Sequence, residues 1–362
     1  MSETSVNFVQ AINNGHKYGL DANRNSYIIG LGVNYPNGAD GTTKELSSLY
    51  PNNVLDVPVS EASFTGMCVG MGTMGLNPIV HHGRVEFALL AMDQILTQAA
   101  KWDYMFGGDY PCQFSARLNI GRQWGNGPQH TSSYNSLFVN TPGLNILWPS
   151  RPNEAYNFTK YLHFAKSPTL MMEHRYLFQT EDVLIESFEN NNIIQTAAIY
   201  GEKSDVVLLT YGDGLVESLK VKNEVKDLNI QVVCLTAFVN DRKIDNKILE
   251  IINKCNNLVC IDTSNYEYGL MQGYVGNLAT KVDLKDKIKI FSPPFTPCAT
   301  SPKLVKQYYP YSPEIISYLN SENLTNTIAN EHSFDDINLP AKFDFSNIVP
   351  TSFTYEKTSK TQ

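Results

Sequence analysis

The chain has 362 residues, 42% of them hydrophobic and 11% aromatic, and carries a formal net charge of −8. That length allows two domains, each able to bury a core. An acidic chain without a basic block argues against nucleic acid and anionic membranes as partners, and no apolar run reaches the roughly 18 residues of a membrane span.

The opening MSETSVNFVQ lacks the basic-then-apolar pattern of a signal peptide. From Ser26 to Asn320, short apolar runs alternate with helical patterns. SYIIGLG (26–32), NVLDVPV (53–59), NPIVHH (77–82), CQFSARL (112–118), LNILWPS (144–150) and TLMMEHR (169–175) read as buried strands. Helical patterns at 61–75, 87–101 and 152–165 fall between them. This alternation predicts an α/β domain with a largely parallel sheet over residues 1–187. The polar stretch FENNNIIQTA reads as a linker, assigned to 188–203. The alternation then restarts with VVLLTYG (206–212), QVVCLTAF (231–238), NLVCIDT (257–263) and KIKIFSPP (287–294) as strands. Helical segments at 214–226, 245–256, 269–281 and 312–320 complete a second, smaller α/β domain over 204–321. The tail, 322–362, is polar with scattered Phe and no period, and reads as disordered or as an arm laid on a partner. Six cysteines lie in apolar stretches without any CxxC pair, which suits reduced, buried thiols in a cytoplasmic protein rather than zinc ligands.

Ser60-Glu61 directly follows a predicted strand. Ser60 suits an N-cap, and Glu61 falls in the first helical turn, where the helix dipole favours any acid. The helix continues ASFTGMCVGMGTMG. Gly66, Gly70, Gly72 and Gly75 each cost a helix about 1 kcal/mol against alanine. That cost implies close packing against another helix or a flat ligand.

In full, DVPVSEASFTGMCVGMGTMGLNPIV resembles the pyrimidine-domain signature of beta subunits of thiamine diphosphate-dependent 2-oxo acid dehydrogenases, within the transketolase-like superfamily. Downstream, FALLAMDQILTQAAKWDYMFGG (87–108), ARLNIGRQWGNGPQHTSS (116–133) and LNILWPSRPNEAYNFTKYLHFAKSPTLMMEHRYLF (144–178) resemble further motifs of that family in order. SDVVLLTYGDGLVESL and FSPPFTPCATSPKLVKQYYPYSPEIISYL resemble its carboxy-terminal domain. The resemblance covers about residues 20 to 320. It implies a pyrimidine-binding domain followed by a transketolase-type C-terminal domain.

The same resemblance implies roles for single residues. Glu61 stands where the family places a carboxyl group against the aminopyrimidine ring. A proton held at the distal ring nitrogen lets the cofactor's own amino group take the thiazolium proton. Phe87 stands where an aromatic ring lies against the aminopyrimidine, although by itself it also suits a core position at a helix start. His130, in GPQHTSS, stands where a histidine faces the reacting centre and moves protons or orients the acyl group. His81, His82 and Arg84 follow the strand NPIV, where relatives carry less basic residues. They read either as a site for an acidic substrate group at a strand end or as a surface turn. Arg122 and Trp124 look individual to this chain, and Arg122 joins the substrate candidates. Many relatives carry an acid where this chain has Gly32, which puts the usual acidic network beside the pyrimidine in doubt.

Gly212-Asp213-Gly214 and Asn240 mimic the superfamily's diphosphate and magnesium motif. Asp241, not a second Asn, follows Asn240, so GDG reads as a strand-to-helix turn. The resemblance then implies that a separate alpha-type subunit holds the diphosphate and Mg2+ in an α2β2 assembly, with no metal assigned to this chain. A lipoyl acyltransferase core is the usual acceptor in such enzymes. A split transketolase-like enzyme, an acyloin-forming or carboligase subunit and a non-catalytic scaffold on the same fold stay open. A nucleotide-binding protein is disfavoured because no GxGxxG opens the first domain.

Overall fold

The apolar runs become strands of two sheets in the computed structural model, which describes residues 5–122, 125–185, 193–239, 242–265, 267–284, 288–330 and 340–358. The first half supplies β1 (Ser5–Asn7), β2 (Ser26–Gly30), β3 (Val54–Asp56), β4 (Asn77–His82), β5 (Ser115–Ile120), β6 (Asn145–Leu147), β7 (Thr169–His174) and β8 (Glu181–Val183). The second half supplies β9 (Ile193–Tyr200), β10 (Val206–Tyr211), β11 (Ile230–Leu235), β12 (Ala237–Phe238), β13 (Asn257–Ile261), β14 (Ile288–Phe291) and β15 (Ser352–Lys357).

One sheet has the order β12-β6-β7-β5-β4-β2-β3, and the other β14-β13-β10-β11-β9-β15. β2 to β7 pair in parallel throughout the first sheet, as the connecting helices require. The second sheet is parallel from β14 to β11, and β9 runs antiparallel to both β11 and β15. β1 and β8 form a separate antiparallel pair. One apolar cluster serves both sheets: Ile29, Val80, Ala116 and Trp148 join Leu209, Tyr211 and Val233 in it. All six cysteines are free and buried.

Four features depart from the sequence reading. Residues Ile193–Tyr200, read as linker, form a strand, because β-branched and aliphatic residues fill the slot beside β11. The tail is not free where it is described: part of it packs on its own chain. β15 closes the edge of the second sheet against β9, and Phe345 is fully buried. QVVCLTAF does not stay in one sheet. β11 belongs to the second, while β12 crosses to pair antiparallel with β6 of the first. Finally, Phe8–Ala22 forms a helix that the periodicity did not reveal, because Asn13, Gly15, His16 and Gly19 lie on its buried face. A Cβ at Gly15 would come within 2.7 Å of Thr159, and one at Gly19 would strike the His163 ring. These glycines let the helix lie directly on helix Pro152–Leu162. Asn7 and Gln10 cap its start reciprocally, at 2.8 and 2.9 Å.

Candidate active site

Loops that follow parallel strands gather at one edge of a sheet, and ligands of open α/β sheets bind there. Glu61 begins the helix Glu61–Thr73 after β3. Phe87 lies in the short helix Val85–Ala88 after β4, and His130 ends the turn Pro128–His130 after β5. In sheet order β3 and β4 flank β2, and β5 borders β4. With strands about 4.8 Å apart, the loops after β4 and β5 adjoin, and the loop after β3 stands about two spacings from that after β4.

Phe87 and His130 are in contact. Their rings meet edge to face with centroids 5.6 Å apart. Glu86 ties the two loops, its Oε1 accepting the Ser132 amide at 2.7 Å. Phe87 keeps 37% of its surface exposed, an open aromatic face rather than a core side chain. Glu61 is partly exposed on the same edge, and its carboxylate has no hydrogen bond or ion pair among the described residues. No ring contact or hydrogen bond joins it to Phe87 or His130 within this chain.

The helix behind Glu61 explains some of its glycines. Gly72 lies against the backbone of Gln113 and Phe114, where a Cβ would sit at 3.2 Å. Gly70 and Gly75 face open space, and Met67 and Met74 are exposed beside them. A cavity of about 530 Å3 opens between the segment Thr131–Leu137 and the second half of the chain, walled there by Thr263, Cys298 and Tyr309 among others.

Comparison with known proteins bears on the family and the fold. Residues 14–180 match the transketolase pyrimidine-binding domain. They are such a domain. The chain is 26% identical over 285 residues to the beta subunit of acetoin:2,6-dichlorophenolindophenol oxidoreductase of Cupriavidus necator, covering 77% of this chain and 82% of that one. It is 27% identical over 271 residues to the mitochondrial pyruvate dehydrogenase E1 component subunit beta of Saccharomyces cerevisiae, covering 72% of each. Identity to the Bacillus subtilis acetoin oxidoreductase subunit beta is 27% over 327 residues, or 86% of this chain and 95% of that one. A solved split gene transketolase, described as an inactive beta4 tetramer, superposes with a TM-score of 0.67 at 13% identity. It covers 86% of this chain and 96% of that one, a likeness of fold.

Within the pyrimidine-binding domain, the basic cluster after NPIV does not form. His81 and His82 alternate across β4 and both are buried. His82 stacks on Phe64 at 5.5 Å and reaches Thr65 Oγ1 at 3.3 Å, and burial pushes its pKa down to about 4. For His81, burial and then the Arg117 charge hold the imidazole well below its ordinary range. Two neutral interior imidazoles offer no positive charge to a substrate. Arg84 is different. It is half-buried, donates to the Gly83 carbonyl at 2.7 Å, and lies near the carboxylates of Asp40 and Glu86.

Arg122 is no free substrate arm either. Its guanidinium is buried, 3.7 Å from the Tyr176 ring centroid, 4.6 Å from Tyr309 and 4.7 Å from Tyr311. Asp213 faces it at 3.4 Å and takes His174 at 2.9 Å on its other oxygen. Burial alone would raise the Asp213 pKa, but His174 and Arg122 outweigh it and hold the carboxyl low. Gly212–Gly214 is therefore a strand-to-helix turn between β10 and helix Gly214–Glu224, with its aspartate turned inward. Asn240, Asp241 and Trp124 lie outside the described residues.

Two features of the domain escaped the sequence reading. Asp40, in the loop after β2, accepts from Asn119 at 2.8 Å and faces Arg175 at 3.3 Å. Burial raises its pKa against the pull of Arg84 and Arg117, so this loop carries an acid after all, eight residues beyond Gly32. Beneath it, Arg117 and Glu173 form a fully buried bidentate pair at 2.6 and 2.8 Å. A hydrogen-bonded chain continues from Arg117 through His16 and His163 to Ser26, at 2.9, 2.9 and 2.7 Å. The signal for the pair was a single arginine in β5 and a single glutamate in β7, both read as buried strands.

Proposed function

We propose that the chain is the beta-type half of a thiamine diphosphate-dependent 2-oxo acid dehydrogenase or decarboxylase. One observation carries this reading. Glu61, Phe87 and His130 stand on successive loops at one edge of a parallel sheet, with Phe87 and His130 in ring contact. The edge suits a flat heterocycle: it offers an open aromatic face and a carboxylate that no other described residue engages.

The cofactor, when bound, supplies the electron sink for breaking the bond beside a keto group. In this reading Glu61 holds a proton at the distal nitrogen of the pyrimidine ring. Phe87 covers one face of that ring and excludes water. His130, held against Phe87, carries a proton to or from the reacting atoms. Arg84, next to Asp40, is the candidate for the carboxylate of the substrate. The buried His81, His82 and Arg122 are not.

Residues 1–187 act as the pyrimidine side and 204–321 as the C-terminal domain, with the boundary segments built into the sheets. The diphosphate and its Mg2+ fall to an alpha-type chain in a heterotetramer, and a lipoyl group is the proposed acyl acceptor. No helix among the described residues is long and apolar enough to cross a membrane, and the proposed location is the cytoplasm. Co-expression with an alpha-type chain, followed by a screen of 2-oxo acids for carbon dioxide release, tests the proposal. An assembled, cofactor-loaded pair that releases none from any 2-oxo acid refutes it.

A further inference from the structure

The loop that carries His130 is held by the second half of the chain as well as by its own domain. It leaves β5 at Gly121 and is pinched shut where the Gly121 amide donates to the Ser132 carbonyl at 3.0 Å. The next residue, Arg122, reaches away into a pocket of three tyrosine rings. Two of them, Tyr309 and Tyr311, belong to the second half, as does Asp213. Farther along, a Cβ at Gly127 would meet Thr300 Oγ1 at 2.5 Å, and the Thr131 hydroxyl meets the Cys298 thiol. Beyond His130, Asn135 donates to the Tyr211 hydroxyl at 2.9 Å and accepts from Trp148 at 3.0 Å. On the side of its own domain, the Glu86 carboxylate, the Phe87 ring, the Tyr176 ring under Arg122 and the Trp148 indole touch this loop.

A guanidinium locked by cation–π contacts and a buried carboxylate has almost no freedom to shift. It lies eight positions before His130, at the root of the closed loop. We infer that Arg122 is a positioning residue for His130, fastening the root of its loop to the second half of the chain so that the imidazole stays against Phe87. The inference rests on the proposed role of His130 only for its effect on turnover. The placement itself is a separate claim.

The test uses the assembled enzyme with Arg122→Met, which fills the tyrosine pocket without charge, and Asp213→Asn, which removes the counter-charge and keeps the shape. Imidazole resonances of the seven histidines are followed by carbon-13 NMR, with His130→Ala assigning the signal of interest. In folded variants the His130 resonance moves, and kcat falls about tenfold or more while KM stays within about twofold, as a misplaced proton carrier dictates. Added to His130→Ala, Arg122→Met costs less than about twofold further, because both changes act through one group. If Arg122→Met unfolds the chain, Asp213→Asn carries the same measurements. An unmoved His130 resonance in a folded variant, or losses that simply multiply with His130→Ala, overturns the inference. A displaced resonance combined with full turnover of His130→Ala leaves the positioning intact and removes the proposed role of His130 instead.

Discussion

Replacing Glu61 by Gln separates chemistry from stability. Glu61 is the first residue of its helix and is partly exposed, with no ion pair among the described residues to lose. Its charge acts on the fold through the helix N-terminus alone, a term of about 0.3–1 kcal/mol. The neighbouring Ser60 hydroxyl bonds Ser63 Oγ at 2.9 Å, and the substitution leaves that contact in place. The fold should therefore lose no more than about 1 kcal/mol, a fall of a few degrees in Tm. A positioned acid–base group contributes about 100-fold to 10,000-fold to rate, which corresponds to about 3–5 kcal/mol at the transition state. Melting curves and carbon dioxide release, measured on the same preparation of the assembled enzyme, give both quantities. If the variant keeps more than about a tenth of wild-type turnover, the proton-donor argument fails. If it melts more than about 5 °C lower, Glu61 is structural and the activity loss means little.

Phe87→Ala removes the exposed aromatic face and should weaken cofactor binding about tenfold, as measured by titration of the assembled enzyme, with cofactor-saturated turnover much less affected. Unchanged affinity would return Phe87 to a packing role. Glu173→Gln strips the fully buried Arg117 of its countercharge and should cost about 3–5 kcal/mol in urea unfolding. A loss under about 1 kcal/mol would mean that His16 and the rest of the chain suffice. Acid should also weaken the fold. His163 and His82 are held neutral down to about 3 and about 4, chiefly by burial, and His16 and His81 lie well below their ordinary range. Unfolded imidazoles take up protons below about pH 6.5 that the native ones refuse. Stability present above that pH therefore falls as pH drops toward the folded values, by up to about 1.4 kcal/mol per unit for each histidine. Urea midpoints at pH 7.5 and 5.5 should differ accordingly, and a flat profile would contradict it.

The sequence was most informative where chemistry and periodicity agreed. NPIVHH is a strand over the full predicted length, and the helix after Ser60 starts at Glu61. The proposed roles of Glu61, Phe87 and His130 came from motif resemblance, and no periodicity argument would have placed Phe87 against His130. The failures have physical causes. Basic side chains in sequence suggested a surface, yet His81 and His82 are interior, since the end of a central strand can be as dry as its middle. Arg122 looked like an anion binder because the three rings and the carboxylate that neutralise it lie far away in sequence. The helix Phe8–Ala22 hid its buried face behind polar residues, whose partners Thr42 and His163 are also distant.

The short passage of β12 into the neighbouring sheet bears on how the molecule can be cut and how it can move. Separating the two halves would strip β6 of its outer neighbour and leave a bare ladder of amides and carbonyls, an invitation to self-association. The same stitch, with the shared apolar cluster behind it, keeps the halves from swinging open like a jaw. Whatever shuts over Glu61 and Phe87 must then come from a moving loop or from a second polypeptide.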